Sequence, residues 1–222
     1  MKYAAVLFDF NGVILWDRQW HEIAWDDLSE LVMGRKLTRE EHEQYVHGRT
    51  PGESLEFIVG HKPTEAEQDE LLTRKELLYQ KICLQSKDFH LSPGAEKLFN
   101  ELKEHGIKRT IATSSPLVNI DFYYQHLGLA KWFPRDDIVY DDRTFPGKPA
   151  PDIYLRAADK LGVDIRQCVV VEDAKSGMIA ATKAGAGKII AVLHKDNHSA
   201  ADGLDIAKFV ENLGQISIDD VA

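Results

Sequence analysis

The run Tyr3-Ala-Ala-Val-Leu-Phe-Asp-Phe-Asn-Gly-Val13 constrains the fold more than any other stretch of the chain. Ala4 to Phe8 carries no charge that needs water, as expected of a strand covered on both faces in a parallel sheet. It ends abruptly at Asp9, and Gly12 supplies a turn three residues later. A carboxylate at the C-terminal tip of such a strand lies where open α/β sheets bind their ligands. A strand-end Asp also serves simply to close a loop, so Asp9 gains meaning only from partners at later strand ends.

After Val13 the pattern changes from strand to helix. Trp20, Ile23, Ala24, Leu28 and Leu31 recur at three- and four-residue steps between Asp17 and about Gly34, the spacing of one helical face. Thr38-Arg-Glu-Glu41 is a helix-start signal inside a polar segment. Tyr45 to Gly52 reads as a loop and Glu53 to Gly60 as a short helix. Pro63-Thr-Glu-Ala66 opens a further helix, acidic in its first turn, that runs to about Gln85. Residues 17–86 are therefore expected to form an all-helical inserted domain, and residues 1–16 with 87–222 the main one.

From Leu91 strands and helices alternate. A helix starts at Ser92-Pro-Gly94 and ends near Gly106, and Lys108 to Thr113 reads as a strand. A helix from Val118 to Leu127 leads to a short strand, Ile138 to Tyr140, and Pro151 to Leu161 is helical. The next strand, through Val169 and Val171, stops at Glu172-Asp173. Ser176 to Ala184 then reads as helix, Lys188 to Leu193 as strand, and Ile206 to Leu213 as a final helix. The alternation predicts an α/β fold, a parallel sheet with helices on both faces.

Composition narrows the function. With 222 residues, 44% hydrophobic and 28% charged, the chain can bury a sizeable core. Its formal charge is −9 without a polybasic run, which argues against nucleic acid and membrane surfaces as partners. No apolar run is long enough to span a bilayer. The two cysteines, Cys83 and Cys168, lack a CxxC spacing and fit a reducing compartment. The opening residues read as strand rather than signal peptide, so a cytoplasmic protein is expected.

Four strand ends then present a compatible set: Asp9, Thr113-Ser114-Ser115, Lys148 between Gly147 and Pro149, and Glu172-Asp173. Adjacent carboxylates repel unless a cation compensates. Asp9, Glu172 and Asp173 offer the hard oxygen ligands that Mg²⁺ prefers. Thr113 and the N–H groups of Ser114 and Ser115 suit phosphate oxygens, and Lys148 balances the negative charge. Singly, hydroxyl runs make turns, lysines lie on surfaces and acidic pairs cap helices. Jointly and in this order, they suggest attack by Asp9 on phosphorus and hydrolysis of the resulting acyl phosphate.

The segments FDFNGV, IATSSP, GKPAPDIY and VVVEDAKSGMIAATKAG resemble the four motifs of the haloacid dehalogenase-like hydrolase superfamily, most closely its sugar-phosphatase and β-phosphoglucomutase branch. The resemblance implies a Rossmann-like core with a helical cap domain inserted after the first strand. It implies Asp9 as nucleophile and Mg²⁺ ligand, Thr113 and Lys148 as holders of the transferring group, and Glu172 and Asp173 completing the metal site. Asn11 would contribute its main-chain carbonyl to the metal. His21 with Ala24-Trp25 matches a cap-hinge pattern of this branch. Gly48-Arg49-Thr50 with Ser54-Leu55 resembles its substrate loop, and Lys75 is a further candidate substrate contact. Trp25 also stands at helical spacing with Leu28, where such a residue is most often core. A dehalogenase fits less well, because carbon–halogen displacement needs no metal.

The chain departs from the family at Asn11, where the pattern D-x-D has its second carboxylate. That Asp protonates the leaving oxygen and later activates water; an amide does neither. Three readings stay open: a natural change with His21 or the substrate supplying the proton, an introduced change that traps a complex, or a phosphate-ester binder with slow turnover. Trp16 stands where the branch often has another Asp. Pro51 stands where the mutase tends to carry an Arg for a second phosphate, which favours hydrolysis over mutase chemistry. The expected protein is a Mg²⁺-dependent phosphatase of a small phosphate ester, monomeric or homodimeric.

Overall fold

β1 (Ala5–Phe8) is flanked by two parallel partners, β2 (Lys108–Pro116) and β4 (Cys168–Glu172). All four of its residues are buried, as its lack of charge requires. With β3 (Val139–Asp141), β5 (Lys188–Val192) and β6 (Lys208–Val210), the sheet runs β3-β2-β1-β4-β5-β6 and every pairing is parallel. The order turns back at β1, which places the ligand crevice of a doubly wound sheet beyond the tips of β1, β2 and β4. This is the computed structural model of the chain, describing residues 3–47, 49–194 and 197–221.

Alternate residues of β1 serve opposite layers. Leu7 joins Ile153, Tyr154 and Ala157 of α7 (Asp152–Lys160) and Met178 of α8 (Lys175–Ala184) in one buried cluster. Phe8 faces the other way and meets Phe99 of α5 (Ala95–Glu104) edge-on at 5.3 Å and Phe133 at 6.2 Å. α5 buries Ala95, Leu98, Phe99 and Leu102, a single stripe at helical spacing. α6 (Leu117–His126) follows β2 directly. The core unit is thus a Rossmann-like α/β sheet with helices on both faces.

Two expectations for this unit change. Residues around Ile206 to Leu213 do not form a helix. Lys208, Phe209 and Val210 pair with Ile190, Ala191 and Val192 as the edge strand β6, and a single 3₁₀ turn, Leu213–Gln215, follows. The edge of β5 captures the segment, and the only α-helix that follows among the described residues is the four-residue α9 (Ile218–Val221). β2 also runs beyond Thr113 to Pro116, so Ser114 and Ser115 extend the strand instead of leaving it as a turn.

The chain divides into two compact units, Met1–Trp16 with His90–Ala222, and Asp17–Phe89. The second holds α1 (Arg18–Met33), a turn α2 (Arg39–Glu41) leading into π-helical His42–Val46, α3 (Pro51–Val59) and α4 (Glu65–Gln85). Its described residues include no strand. Trp25, Leu28, Leu37, Leu55 and Ile58 form its core. On α1 the buried stripe is Trp20, Ala24, Trp25 and Leu28, whereas Ile23 and Leu31 are 42% and 54% exposed. The loop expected over Tyr45 to Gly52 is shorter than its polarity suggests. Thr50 and Glu53 close a capping box with Pro51 in the first turn, so α3 starts two residues early. No helix among the described residues is long and apolar enough to cross a membrane.

Candidate active site

Asp9 leaves the tip of β1 with its N–H on the carbonyl of Val171 at 3.0 Å, and it is buried. The sheet therefore fixes the base of its side chain before any side-chain partner acts. Lys148, from the loop between β3 and α7, places Nζ 2.5 Å from Asp9 Oδ1 and 2.5 Å from Glu172 Oε1. Glu172 ends β4 and is fully buried. Tyr154 Oη donates to its Oε1 at 3.0 Å, and the N–H groups of Asp173 and Ala174 donate to its Oε2 at 2.8 Å each. Four donors hold one carboxylate and offset the cost of burying it.

Burial alone would push the Lys148 ammonium down, but the Asp9 and Glu172 carboxylates outweigh it and hold the group well above the usual lysine value. Burial, then Glu172, pushes Tyr154 far up, so its hydroxyl remains a donor. Asp9, Glu172 and Asp173 each present an oxygen within 4.8 Å of the others. Three carboxylates gathered around the Lys148 ammonium make a small site of hard oxygen donors, and such a site fits a divalent cation such as Mg²⁺.

Asn11 lies on the turn beyond Asp9. Its Oδ1 accepts from Ser115 Oγ at 2.7 Å and, weakly, from Thr113 Oγ1 at 3.4 Å. Its Nδ2 donates to the Tyr123 hydroxyl at 3.2 Å. Tyr123 is buried and stacks on Phe10 at 4.2 Å. Thr113 is fully buried, Ser115 nearly so, and Ser114 points to solvent. Seven of the expected residues thus meet at the strand tips: Asp9, Asn11, Thr113, Ser115, Lys148, Glu172 and Asp173.

The helical unit gathers a second group. Lys75 is buried, donating from Nζ to His21 Nδ1 at 2.7 Å and to Glu76 Oε1 at 3.0 Å. It also lies 5.5 Å from the ring centroids of Trp25 and Tyr79. Because Nδ1 accepts, the His21 proton sits on Nε2, which faces Asp17 Oδ2 at 3.3 Å. Tyr79 stacks on His21 at 4.0 Å and donates to the same Asp17 oxygen at 2.6 Å. Arg49 and Thr50 are exposed and engaged locally, Arg49 Nε on the Gln44 carbonyl and Thr50 as the cap of α3. Gly48 lies outside the described residues.

Sequence reasoning missed three supporting positions. Tyr123 looks like an ordinary helix-core residue, and nothing in its spacing announces a hydroxyl aimed at Asn11. Tyr154 closes the run Gly147 to Tyr154 but reads as apolar. Gly177 carried a signal, a glycine inside a helical pattern, which marks close approach. A Cβ there would stand 1.6 Å from Glu172 Oε1.

A haloacid dehalogenase-like hydrolase family model matches residues 3–185. The β-phosphoglucomutase of Bacillus subtilis is 34% identical over 186 residues, covering 82% of this chain and 80% of that protein. The phosphorylated carbohydrates phosphatase of Thermotoga maritima is 30% identical over 197 residues, covering 89% and 88%. A crystal structure of a HAD hydrolase, family IA, variant 3, from Entamoeba histolytica superposes with a TM-score of 0.90 at 35% identity, covering 98% of this chain and 96% of that one. With its motifs meeting at the tips of a parallel sheet and a family match across most of its length, the chain belongs to the haloacid dehalogenase-like hydrolases.

Proposed function

We propose that this phosphohydrolase removes the phosphoryl group from a small phosphorylated metabolite, a sugar phosphate foremost, with Mg²⁺ as cofactor and Asp9 as nucleophile. The observation that carries the reading is the Lys148 ammonium set between Asp9 Oδ1 and Glu172 Oε1 at 2.5 Å from each. A buried carboxylate is a competent nucleophile only while ionised, and a paired ammonium favours that form.

The chemistry divides into two displacements. An oxygen of Asp9 attacks phosphorus, the bond from phosphorus to the ester oxygen breaks, and an acyl phosphate forms on Asp9. Water then attacks the same phosphorus, the bond to Asp9 breaks, and inorganic phosphate leaves with the carboxylate restored. The Thr113 hydroxyl and the N–H groups that follow it serve the phosphoryl oxygens, with Lys148 offsetting their charge. Asp9, Glu172 and Asp173, with the Asn11 carbonyl, would hold Mg²⁺, which supplies positive charge against an incoming phosphate dianion. Asn11 itself has no proton to exchange near neutral pH. Ester oxygens that leave as alkoxides therefore take their proton from another group, His21 or the substrate. His21, Trp25, Gly48, Arg49, Thr50 and Lys75 remain proposed substrate contacts.

The Thermotoga maritima relative supports a phosphorylated carbohydrate as substrate. The Bacillus subtilis relative supports a second reading, a phosphomutase, which a sugar bisphosphate requirement would reveal. Two buried free thiols, Cys83 and Cys168, suit the cytoplasmic compartment that we infer. The decisive assay is Mg²⁺-dependent phosphate release from a panel of phosphorylated metabolites by the native chain and by Asn11→Asp. Release that chelation abolishes is expected; silence of both proteins toward every ester would overturn the proposal.

A further inference from the structure

The segment after β5 reaches back to the tips of β1 and β4 through two side chains. His194 Nε2 lies 2.9 Å from the carbonyl of Gly12. That oxygen only accepts, so Nε2 carries the ring proton in this bond. Asn197 Nδ2 donates to the carbonyl of Asp173 at 2.9 Å and to that of Val192 at 3.2 Å. The main-chain N–H of His194 donates to Asn197 Oδ1 at 2.5 Å, which ties the Asn197 side chain to the His194 backbone in one clamp. Trp16, 40% exposed, packs edge-on against the imidazole at 4.6 Å.

The clamp closes a circuit. Gly12 has φ +81°, and a Cβ on it would stand 2.2 Å from Asp173 Oδ2. The turn that carries Asn11 and the carboxylate of Asp173 are therefore in direct contact, and each is tied through a neighbouring carbonyl to the same loop. His194 and Asn197 both end on main-chain carbonyls at the rim of the acidic cluster. Clustered carboxylates repel one another, and bonds that pin the backbone beside them resist that.

We propose that His194 and Asn197 are positioning residues of the cation site, holding the Gly12 turn and Asp173 in register so that the carboxylates stand ready for the ion. This rests on the reading of Asp9, Glu172 and Asp173 as a Mg²⁺ site. Groups that orient metal ligands typically change metal affinity about 10–100-fold when removed. Both residues are half-buried on a connecting segment.

The test is titration of the full chain with Mn²⁺, without substrate, following the free-ion signal by electron paramagnetic resonance. His194→Leu and Asn197→Leu are each expected to bind Mn²⁺ at least about tenfold more weakly, with metal-free melting close to the native chain. His194→Gln, whose amide N–H reaches the same carbonyl, is expected to restore affinity. Native-like affinity in both leucine variants overturns the clamp and leaves the cation site standing. A native chain that takes up no Mn²⁺ overturns the cation site, and the clamp with it.

Discussion

The Asn11 side chain is read as an amide by its surroundings: Nδ2 donates to the Tyr123 hydroxyl at 3.2 Å while Oδ1 accepts from Ser115 Oγ at 2.7 Å. A carboxylate accepts at both ends, so Asn11→Asp requires the Tyr123 hydroxyl to turn and donate. Hydroxyl rotors do this without moving the ring, and the Tyr123 ring stays stacked on Phe10.

The fold should therefore accept Asn11→Asp with a stability change within about 1 kcal/mol. Its effect on rate should be large. A proton donor and acceptor at this position typically contributes about 10²–10⁴-fold, most for esters with poor leaving groups. Turnover of a sugar phosphate by the variant and the native chain, at matched Mg²⁺, measures this. An unchanged rate would show that the missing carboxyl does not limit the native chain.

Asp9→Asn removes the proposed nucleophile and keeps its shape. Turnover is expected to fall to background, since an amide oxygen does not form the acyl phosphate. Lys148 retains Glu172 as partner at 2.5 Å, so circular dichroism and a cooperative unfolding transition should persist. Retained phosphate release in this folded variant would remove Asp9 from its assigned role.

How much of this was legible in the residues depends on geometry. Strands buried on both faces leave uncharged runs, which is why β1, β4 and β5 announce themselves. β6 does not: it is three residues long at the sheet edge, with Phe209 54% exposed and Lys208 drawn to Asp220 at 2.6 Å. Such a segment has no period to read. Asp9, Lys148 and Glu172 were legible because charged residues interrupt apolar or turn-rich runs at strand ends. Tyr123 and Tyr154 stayed hidden because helical spacing tells which face is buried and not where a hydroxyl at the end of the ring points. Gly177 was visible as an anomaly, but only the structure names the atom it makes room for.

Lys148→Ala leaves Asp9 and Glu172 buried without their common cation. Breaking a buried pair in this way costs about 3–5 kcal/mol in stability, and affinity for vanadate should fall with it. The sign with pH is fixed. Burial lowers the Lys148 value, the two carboxylates raise it further than that, and the result lies well above the usual 10.5. Its stabilisation is then fully present below the unfolded lysine value and lost only as pH rises through the raised folded one. The stability gap between the native chain and the variant should stay level from about pH 8 to pH 10 and narrow above that. Urea unfolding across this range checks it; a gap that closes below about pH 9 would contradict the pairing.

Gly177→Ala sets two local rules against each other. Within a helix, alanine is normally favoured over glycine by about 0.5–1 kcal/mol, and Gly177 is the third residue of α8. Here the new Cβ would stand 1.6 Å from Glu172 Oε1 and 2.1 Å from its Cδ. A carboxyl at the end of a flexible side chain usually swings away at little cost. This one is held by Lys148, Tyr154 and the N–H groups of Asp173 and Ala174, so moving it breaks several bonds at once. Overpacking of this kind costs about 1–3 kcal/mol, which reverses the helix preference. Displacing Glu172 also loosens Lys148 and through it Asp9, and a shift of about 1 Å at a reacting group can cost about 10²-fold in rate. Denaturant unfolding together with turnover decides the matter: a variant as stable and as active as the native chain would mean that Glu172 does not occupy the position from which it holds Lys148.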